Sequence, residues 1–550
     1  MVIDIRKLPD LSILDYDLCI IGAGPAGLTL ATELRRLPIR ICLLESGSIE
    51  PDADSARLAE ATAVESDFAP PSGAQRRQFG GAANGWIVPI PRRGHGVRYL
   101  PLSDIDFEER PWIPDSGWPF SRDKLDYGRA QEVCGLRPLP FDTTEWERQD
   151  AERLPLDPSS VVTQVERIGM RDPFTRRARR TLEQAQNVWA YLHAVVTSLE
   201  PSENASRVEA VRVACLNGQR YTVRARVFVL AAGGIENARL LLLSSGAGSL
   251  GIGNEHDTVG RYYIDHVRLS AGVFRPADRT LFTRAALYDI RAVGDSLVLG
   301  RLALNETLLR NQQLLHSAVQ LIPKPPAPVR RSVEAIREIG EAMRTRGVRG
   351  LQVRLAPLLP GVRYIISTAP RLAIAQRSWR PAIEAGWSGI PKARECFDHF
   401  ELQQQVELAP HSANRVSLSR TATDPLGLPL AEFHWRWTEL DRSSQRRSAR
   451  VYADALIQAG LGTVDLPEEP IIQQPAGAFH PMGTTRMHDD ARRGVTDANA
   501  RVHSMRNLYI AGSSLFPTGG YANPTLTIIA LTIRLANHLA ETAFRPLAVR

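Results

Sequence analysis

The sequence predicts an α/β fold that opens with a βαβ unit, and three consecutive patterns indicate it. The short apolar run Asp17–Ile21 is typical of a buried strand, and the sequence GAGPAG follows it at once. Apolar residues at helical spacing then continue as far as Leu34. Arg40–Leu44 is a second strand-like run, and it ends at Glu45. A strand, a glycine-rich turn, a helix and a second strand therefore follow one another near the N-terminus.

The glycine-rich turn carries the residues that a dinucleotide site needs. Gly22 permits the tight turn, Gly24 lets the backbone approach a pyrophosphate, and Gly27 allows the helix to pack closely on the strand. The helix N-terminus favours an anion, because its first N–H groups lack partners within the helix. Glu45 lies 18 residues after Gly27, where a carboxylate accepts the ribose hydroxyls and disfavours a 2′-phosphate. We therefore predict a dinucleotide site, and one that does not take NADP.

Two later segments predict that the chain returns to this first sheet. Residues 186–232 contain three strand-like runs, and Gly233 and Gly234 lead from the last of them into a helix. Near the C-terminus, Leu508–Ala511 is again strand-like. A long apolar helix follows it, with Asn523 as the predicted cap and Pro524 as the first helical residue.

Composition indicates a globular enzyme in a reducing compartment. Hydrophobic residues make up 43% of the 550 residues and charged residues 23%, which excludes a disordered, collagen-like or disulfide-dense chain. The five cysteines lie far apart and form no C-x-x-C pair. Neither a signal-peptide core nor a run of 18 apolar residues occurs, so we expect no integral membrane segment and a cytoplasmic location.

Residues 324–394 differ from the rest of the chain in charge. They hold 14 Lys and Arg against 4 Asp and Glu, whereas the whole chain has a net charge of only +7. Arg330, Arg337, Arg344 and Arg349 alternate with apolar residues as in an amphipathic helix. The segment is either an interface for an anionic surface or acidic partner, or the solvated face of an insertion over the active site. We favour the second interpretation, and no motif indicates nucleic-acid binding.

Several motifs together resemble the glucose–methanol–choline (GMC) family of FAD oxidoreductases. They are GAGPAG with Glu45, GGAANGW, SGWPFSRDKLDYGRAQEVCGL, VFVLAAGGIENARLLLLS, GRYYIDH, NRVSLS, FHPMGTTRMHDD and NLYIAGSSLFPTGGYANPTLTIIALTIR. They run in the family's order from residue 17 to residue 540. The last two motifs are the most specific, and they resemble the branch with pyranose oxidases, fructose dehydrogenases and C-glycoside oxidases.

The resemblance implies a fold of two discontinuous domains. A Rossmann-like FAD-binding domain would gather residues 1–100, 186–265 and 475–550. A substrate-binding domain, built on an antiparallel sheet flanked by helices, would use residues 101–185 and 266–474, with the basic insertion at about 324–394.

The resemblance also implies the catalytic residues. His480 matches the family's histidine that faces flavin N5, where a neutral imidazole accepts the hydroxyl proton while hydride leaves carbon. Asn523 matches the second catalytic position and would orient the substrate oxygen. The helix that opens at Pro524 would place N–H groups near Thr525 at the flavin N1–C2 edge, where they stabilise negative charge. The other histidines, His266 among them, are expected to be structural.

The cofactor implied by the resemblance is FAD, held without a covalent bond. Some sugar oxidases carry a histidine before the tryptophan of GGAANGW that bonds to FAD, and this chain has Gly85 there. The predicted cofactor contacts lie in the glycine-rich turn, the GGAANGW loop, the returning strands and the C-terminal motif. They are Gly22, Gly24, Pro25, Ala26, Gly27, Glu45, Gly81, Asn84, Gly85, Trp86, Val196, Ala232, Gly512, Ser513, Pro524 and Thr525. No metal site is predicted.

The sequence therefore predicts an FAD-dependent oxidase or dehydrogenase that converts a polar secondary alcohol, on a sugar, a glycoside or another polyol, to a ketone. The electron acceptor would be O₂, a quinone or another acceptor. Two alternatives remain open at this point. One is an FAD-dependent tailoring enzyme or lyase acting on a natural product, and the other is a flavin-bound partner-docking protein that uses residues 324–394.

Overall fold

The structure of the protein is a computed structural model, and three β-sheets form its framework. It describes residues 1–90, 94–244, 250–346, 358–359, 361–362, 386–390, 393–469, 471–473 and 477–545. The basic segment therefore falls partly outside the described residues, and Arg349 is among those outside. The described part of it includes the helix Ala327–Arg346.

The first sheet is mostly parallel and contains the predicted βαβ unit. Ile13–Ile21 pairs in parallel with Ile41–Leu44 on one side and with Arg220–Leu230 on the other. Leu508–Ile510 joins Arg220–Leu230 in parallel, so the C-terminal segment reaches the same sheet. The strand order is Val2–Asp4, Val188–Leu192, Ile41–Leu44, Ile13–Ile21, Arg220–Leu230, Val208–Ala214 and Val195–Pro201. The predicted α/β fold is thereby confirmed.

The second sheet is antiparallel and is the larger of the two main sheets. Its central strands Val267–Pro276, His399–Val406 and Ser317–Lys324 are paired along most of their length. In spatial order the strands are Gly462–Asp465, Val267–Pro276, His399–Val406, Ser317–Lys324, Ser296–Leu304, Val161–Met170, Gly94–Tyr99 and Val88–Ile90, with Arg291–Val293 and Ile471–Ile472 added at the side. A small third sheet joins Arg415–Thr423, Pro429–His434 and Ala61–Ala63.

Helices cover the first sheet and support the second. Pro25–Leu34 and Thr525–Thr542 contact each other, and Glu439–Gln458 contacts the second sheet. The remaining described α-helices are Ala53–Arg57, Asp104–Phe107, Tyr127–Val133, Thr143–Trp146, Arg176–Gln184, Gly233–Leu243, Leu281–Arg284, Glu306–Gln312, Ala327–Arg346 and Ala393–Cys396. Among the helices that the structure describes, none has the length and apolar character needed to cross a bilayer.

Two glycines determine how closely the first helix approaches its sheet. Gly22 has a φ of 108°, a backbone conformation that residues with a Cβ rarely adopt. A Cβ on Gly27 would lie 1.9 Å from the Gly22 carbonyl oxygen, so no larger residue fits there. Because of this contact, the helix beginning at Pro25 starts directly at the end of Ile13–Ile21. The division of residue ranges between two domains stays a prediction.

Candidate functional site

A cavity of about 420 Å³ lies between the first and second sheets. Gly22, Glu45, Ala231 and Ala511 line it, and each follows the carboxyl end of a parallel strand of the first sheet. Ligands of open α/β sheets bind at this edge of the strands. The wall is completed by Arg268, the second residue of the second-sheet strand Val267–Pro276, and by the segment 478–481.

The glycine-rich turn and Glu45 form one end of the cavity. Glu45 accepts hydrogen bonds from the Ala23 N–H at 3.0 Å and the Gly47 N–H at 2.9 Å. Burial raises the pKa of Glu45, and these two N–H groups oppose that rise. A Cβ built on Gly24 would meet no heavy atom closer than the Gly81 Cα at 3.9 Å, so open space lies beside this backbone. A turn with space against its backbone and a carboxylate on the next strand fits a dinucleotide.

His480 and Asn523 both line this cavity. The His480 backbone N–H donates to Asp265 Oδ1 at 2.9 Å, which fixes the loop that carries it. The side-chain amide of Gln405 donates to Asn523 Oδ1 at 3.4 Å. The two residues with predicted catalytic roles thus meet at one site, although 43 positions separate them in the sequence.

A second histidine, His266, lies directly behind His480. Their Nδ1 atoms are 2.8 Å apart, and His266 Nε2 lies 2.9 Å from the carbonyl oxygen of Gly520. A carbonyl can only accept, so His266 Nε2 carries a hydrogen and, in the neutral ring, His266 Nδ1 is the acceptor. His480 must then donate through its own Nδ1–H. This chain of hydrogen bonds leaves His480 Nε2 without a proton and available as a base.

Both imidazoles are held neutral. Burial lowers the pKa of His266 to about 4. Burial also lowers the pKa of His480 well below its usual value, and the nearby charges of Arg268 and Arg98 lower it further. At neutral pH the site therefore presents an unprotonated imidazole nitrogen, which can accept a proton from a bound molecule.

Comparison with known proteins finds a family model that matches the C-terminal part of the chain. Residues 410–532, which include both His480 and Asn523, match the family model described as GMC oxidoreductase. This part of the chain is thus similar to GMC oxidoreductases. The resemblance stated from the motifs is confirmed.

Several known proteins match this chain over part of their length. A C-glycoside 3-oxidase from Arthrobacter globiformis is 32% identical over 130 residues, which are 23% of this chain and 24% of the relative. A 2-methyl-1,2-propanediol dehydrogenase from Mycolicibacterium austroafricanum is 26% identical over 355 residues, 64% of this chain and 54% of the relative. The chain thus spans no more than 54% of either relative's length.

The fold is also similar to a solved structure. The formate oxidase of Aspergillus oryzae RIB40 covers 98% of this chain and 100% of its own, with a TM-score of 0.52 and 16% identity. At this identity the likeness concerns the fold alone.

Most of the predicted cofactor contacts line the cavity. The residues in its wall are Gly22, Gly24, Pro25, Ala26, Glu45, Gly81, Gly85, Trp86, Ala232, Gly512, Ser513, Pro524 and Thr525. Three others lie outside that wall. Gly27 packs against Gly22, the Asn84 amide donates to the Phe79 and Gly81 carbonyls, and Val196 lines a smaller neighbouring pocket.

The start of the C-terminal helix differs from the prediction. The helix is Thr525–Thr542, its N-cap residue is Pro524, and no side chain caps it. Asn523 therefore lies one residue outside the cap position, and its side-chain oxygen is bonded to Gln405 instead. The result is that the Asn523 side chain lines the cavity and does not close the helix end.

His266, Gln405 and Arg268 belong to the site, although the sequence predicted no role there for any of them. His266 was expected to be structural, yet its ring contacts that of His480 at a centroid distance of 5.0 Å. Gln405 donates to the Tyr521 carbonyl at 2.6 Å and accepts from Arg268 at 3.0 Å. These contacts join residues more than a hundred positions apart, and only the second sheet brings them together.

Asp265 accepts hydrogen bonds from the backbone of both histidines, and burial raises its pKa. Its Oδ1 accepts the backbone N–H groups of His266 at 2.6 Å and of His480 at 2.9 Å. Its Oδ2 is buried and has no hydrogen-bond partner in the described part of the chain. Burial raises the pKa of Asp265 to about 7, although those N–H groups oppose the rise.

Asp265→Asn should change how stability depends on pH. Between its ordinary pKa of 3.8 and the folded value of about 7, folded Asp265 keeps a proton that the unfolded chain has lost. The free energy of unfolding contributed by this group therefore falls as pH rises through that window, by about 1.4 kcal/mol per unit. Asparagine retains the Oδ1 acceptor and removes this dependence on pH. The free energy of unfolding of the variant, relative to that of the wild type, should therefore increase by roughly 2–4 kcal/mol between pH 4 and pH 7.

Urea unfolding midpoints across that pH range would measure the difference. Asp489→Asn is the matched control, since Asp489 is exposed and its substitution should leave the pH profile unaltered. Parallel profiles for Asp265→Asn and the wild type would contradict the raised pKa.

Proposed function

We propose that this chain binds FAD noncovalently and oxidises a polar secondary alcohol, a sugar or glycoside hydroxyl, to a ketone. FAD, when bound, supplies the oxidant that takes a hydride from the carbinol carbon. The glycine-rich turn, the space beside Gly24 and the carboxylate of Glu45 support the nucleotide part of this proposal. Gly85, where a covalently attached flavin would need a histidine, supports a noncovalent bond.

His480 is the proposed base. Its Nε2 accepts the hydroxyl proton of the substrate as the carbon–oxygen double bond forms and hydride leaves carbon. The observation that carries this assignment is the hydrogen-bond chain from His480 through His266 to Gly520, which supports a His480 tautomer with a free Nε2. A base without this restraint would divide its population between two tautomers.

Asn523 is the proposed ligand of the substrate oxygen. Its Oδ1 already accepts from Gln405, which turns the amide so that its NH₂ group is the part left to donate. A hydrogen bond from that group stabilises the negative charge that develops on the substrate oxygen as its proton leaves. The helix beginning at Thr525 adds the positive end of its dipole to the same wall of the cavity.

A substrate screen tests the proposal. Holoenzyme is mixed anaerobically with free sugars, O-glycosides and C-glycosides, and loss of flavin absorbance is followed; turnover is then measured with O₂ and with a dye acceptor. Lasting bleaching with at least one polyol supports alcohol oxidation. Product formation without lasting bleaching would indicate a redox-neutral enzyme and would contradict the proposal.

His480→Ala should retain FAD and lose at least about 10²-fold in kcat, the contribution typical of a general base. The reason is that no other described side chain takes the place of His480 Nε2 in the cavity wall. FAD content from absorbance and steady-state turnover measure the two parts of this result. His256→Ala, at an exposed histidine, is the matched control and should turn over like the wild type. Undiminished kcat in His480→Ala would remove this residue from the mechanism.

His266→Phe should lower kcat while His480 remains in place. Without an acceptor at His266 Nδ1, the His480 ring loses the restraint on its tautomer, and a loss of roughly 10- to 100-fold is expected of such a positioning residue. His266→Gln offers an amide oxygen to His480 Nδ1–H and should restore part of the rate. The readouts are kcat, its pH profile and FAD content. Equal rates in the phenylalanine and glutamine variants would show that the hydrogen bond has no role.

Gly24→Ala should weaken FAD binding without harming the fold. The added methyl group clashes with no protein atom, since its nearest neighbour, the Gly81 Cα, lies at an ordinary van der Waals distance of 3.9 Å. It does occupy the space through which the pyrophosphate approaches the turn, so we expect the Kd for FAD to rise at least about tenfold, or 1.4 kcal/mol. Gly389→Ala is the matched control, because a Cβ there would meet nothing closer than the Gly386 carbonyl oxygen at 3.8 Å. Fluorescence titration of the cofactor-free protein with FAD measures the Kd of both variants. An unaltered Kd in Gly24→Ala would contradict the proposal that the pyrophosphate lies against this turn.

A further inference from the structure

Arg268 lies in the wall of the cavity beside His480 and Asn523. It belongs to the second-sheet strand Val267–Pro276 and follows His266 by two positions. His266 precedes this strand, and the Gln405 side chain contacts both residues: its amide nitrogen lies 3.5 Å from His266 Nδ1, and its oxygen accepts from Arg268 Nε. Arg268 therefore lies beside the histidine pair.

The guanidinium of Arg268 has one hydrogen bond in the described part of the chain. Its Nε donates to Gln405 Oε1 at 3.0 Å. Neither of its terminal nitrogens has a hydrogen-bond or ion-pair partner among the described residues, and Arg268 lines the cavity. The terminal nitrogens of an arginine form a planar fork whose geometry matches the two oxygens of a carboxylate.

The charges around Arg268 do not balance. Arg98 and Arg301 are buried close by, and both pair with one carboxylate, Glu166, at 3.4 Å and 3.1 Å. The charge of Asp265 also acts on Arg268. However, Asp265 Oδ1 accepts hydrogen bonds from the backbone N–H groups of the two histidines. Burial lowers the pKa of Arg268 to about 9, and the charges of Arg98 and Arg301 lower it further. Arg98 and Arg301 thus share one carboxylate, and Arg268 has no ion-pair partner among the described residues.

We propose that the substrate alcohol carries a carboxylate and that the free fork of Arg268 binds it, so that sugar acids and their glycosides are the preferred substrate class. The inference rests on the proposed alcohol oxidation and names the substrate class of the same cavity. A carboxylate there gains two charge-assisted hydrogen bonds and supplies the negative charge that this wall lacks. A neutral sugar leaves the arginine without a partner, and this difference selects against it.

The test compares matched pairs of substrates that differ in one group. For holoenzyme we expect kcat/KM for glucuronate and a glucuronide to exceed that for glucose and the matching glucoside by about 10- to 100-fold, the range for charge-assisted hydrogen bonds. Arg268→Gln should reduce this ratio to near one, mainly through KM for the acid, and Arg268→Lys should give an intermediate ratio. Arg284→Gln, at an exposed arginine, is the control for the change in net charge.

Binding without turnover separates this inference from the proposed function. In the His480→Ala holoenzyme, calorimetric titration with glucuronate should give a lower Kd than with glucose, and adding Arg268→Gln should remove the difference. Oxidation of neutral sugars with no preference for the acid would overturn the inference and leave the proposed function standing. A preference for glucose 6-phosphate over glucuronate would overturn it too. Failure of every polyol to bleach the flavin, while glucuronate still binds through Arg268, would overturn the proposed function alone.

Discussion

The hydrogen bond between His266 and His480 is the interaction on which the rest of the site depends. It joins two residues that are 214 positions apart. It thereby links the start of the second-sheet strand Val267–Pro276 to the C-terminal motif that contains His480. Its direction follows from the Gly520 carbonyl at the far side of His266, which accepts at 2.9 Å. One main-chain oxygen thereby decides which nitrogen of His480 faces the cavity without a proton.

Asp265 makes this arrangement rigid. One Asp265 carboxylate oxygen accepts the backbone N–H groups of both His266 and His480. The loop that carries His480 is therefore tied to the residues that lead into the strand Val267–Pro276. A Cβ on Gly477 would lie 2.8 Å from Asp265 Oδ2, which shows how closely the loop packs over this group. The remaining oxygen has no partner in the described part of the chain, and its burial is the cost in stability of holding these two segments together.

Local sequence was enough to predict the parts of the molecule that depend on local geometry. The turn at Gly22, the helix at Pro25 and the strand ending before Glu45 were all predicted, because glycine spacing and apolar runs determine them directly. The His266 contact could not be predicted in this way, since it depends on how the second sheet presents the end of one strand to a distant loop. The same holds for Gln405, because its place in the strand His399–Val406 follows the same alternation as that of ordinary core residues. The cap assigned to Asn523 was wrong because a tertiary partner, Gln405, competes for the same side-chain oxygen.

The positive charge of this wall also affects the base. A proton received by His480 Nε2 creates an imidazolium beside Arg268 and Arg98, and both of those charges lower the pKa of His480. These two charges therefore oppose the proton transfer that the proposed oxidation requires. A carboxylate on Arg268 would neutralise the nearest of these charges and raise the pKa of His480, so that a substrate of the proposed class strengthens the base that acts on it. Substrate selection and base strength would then have a common electrostatic origin, which a neutral sugar in the same position could not supply.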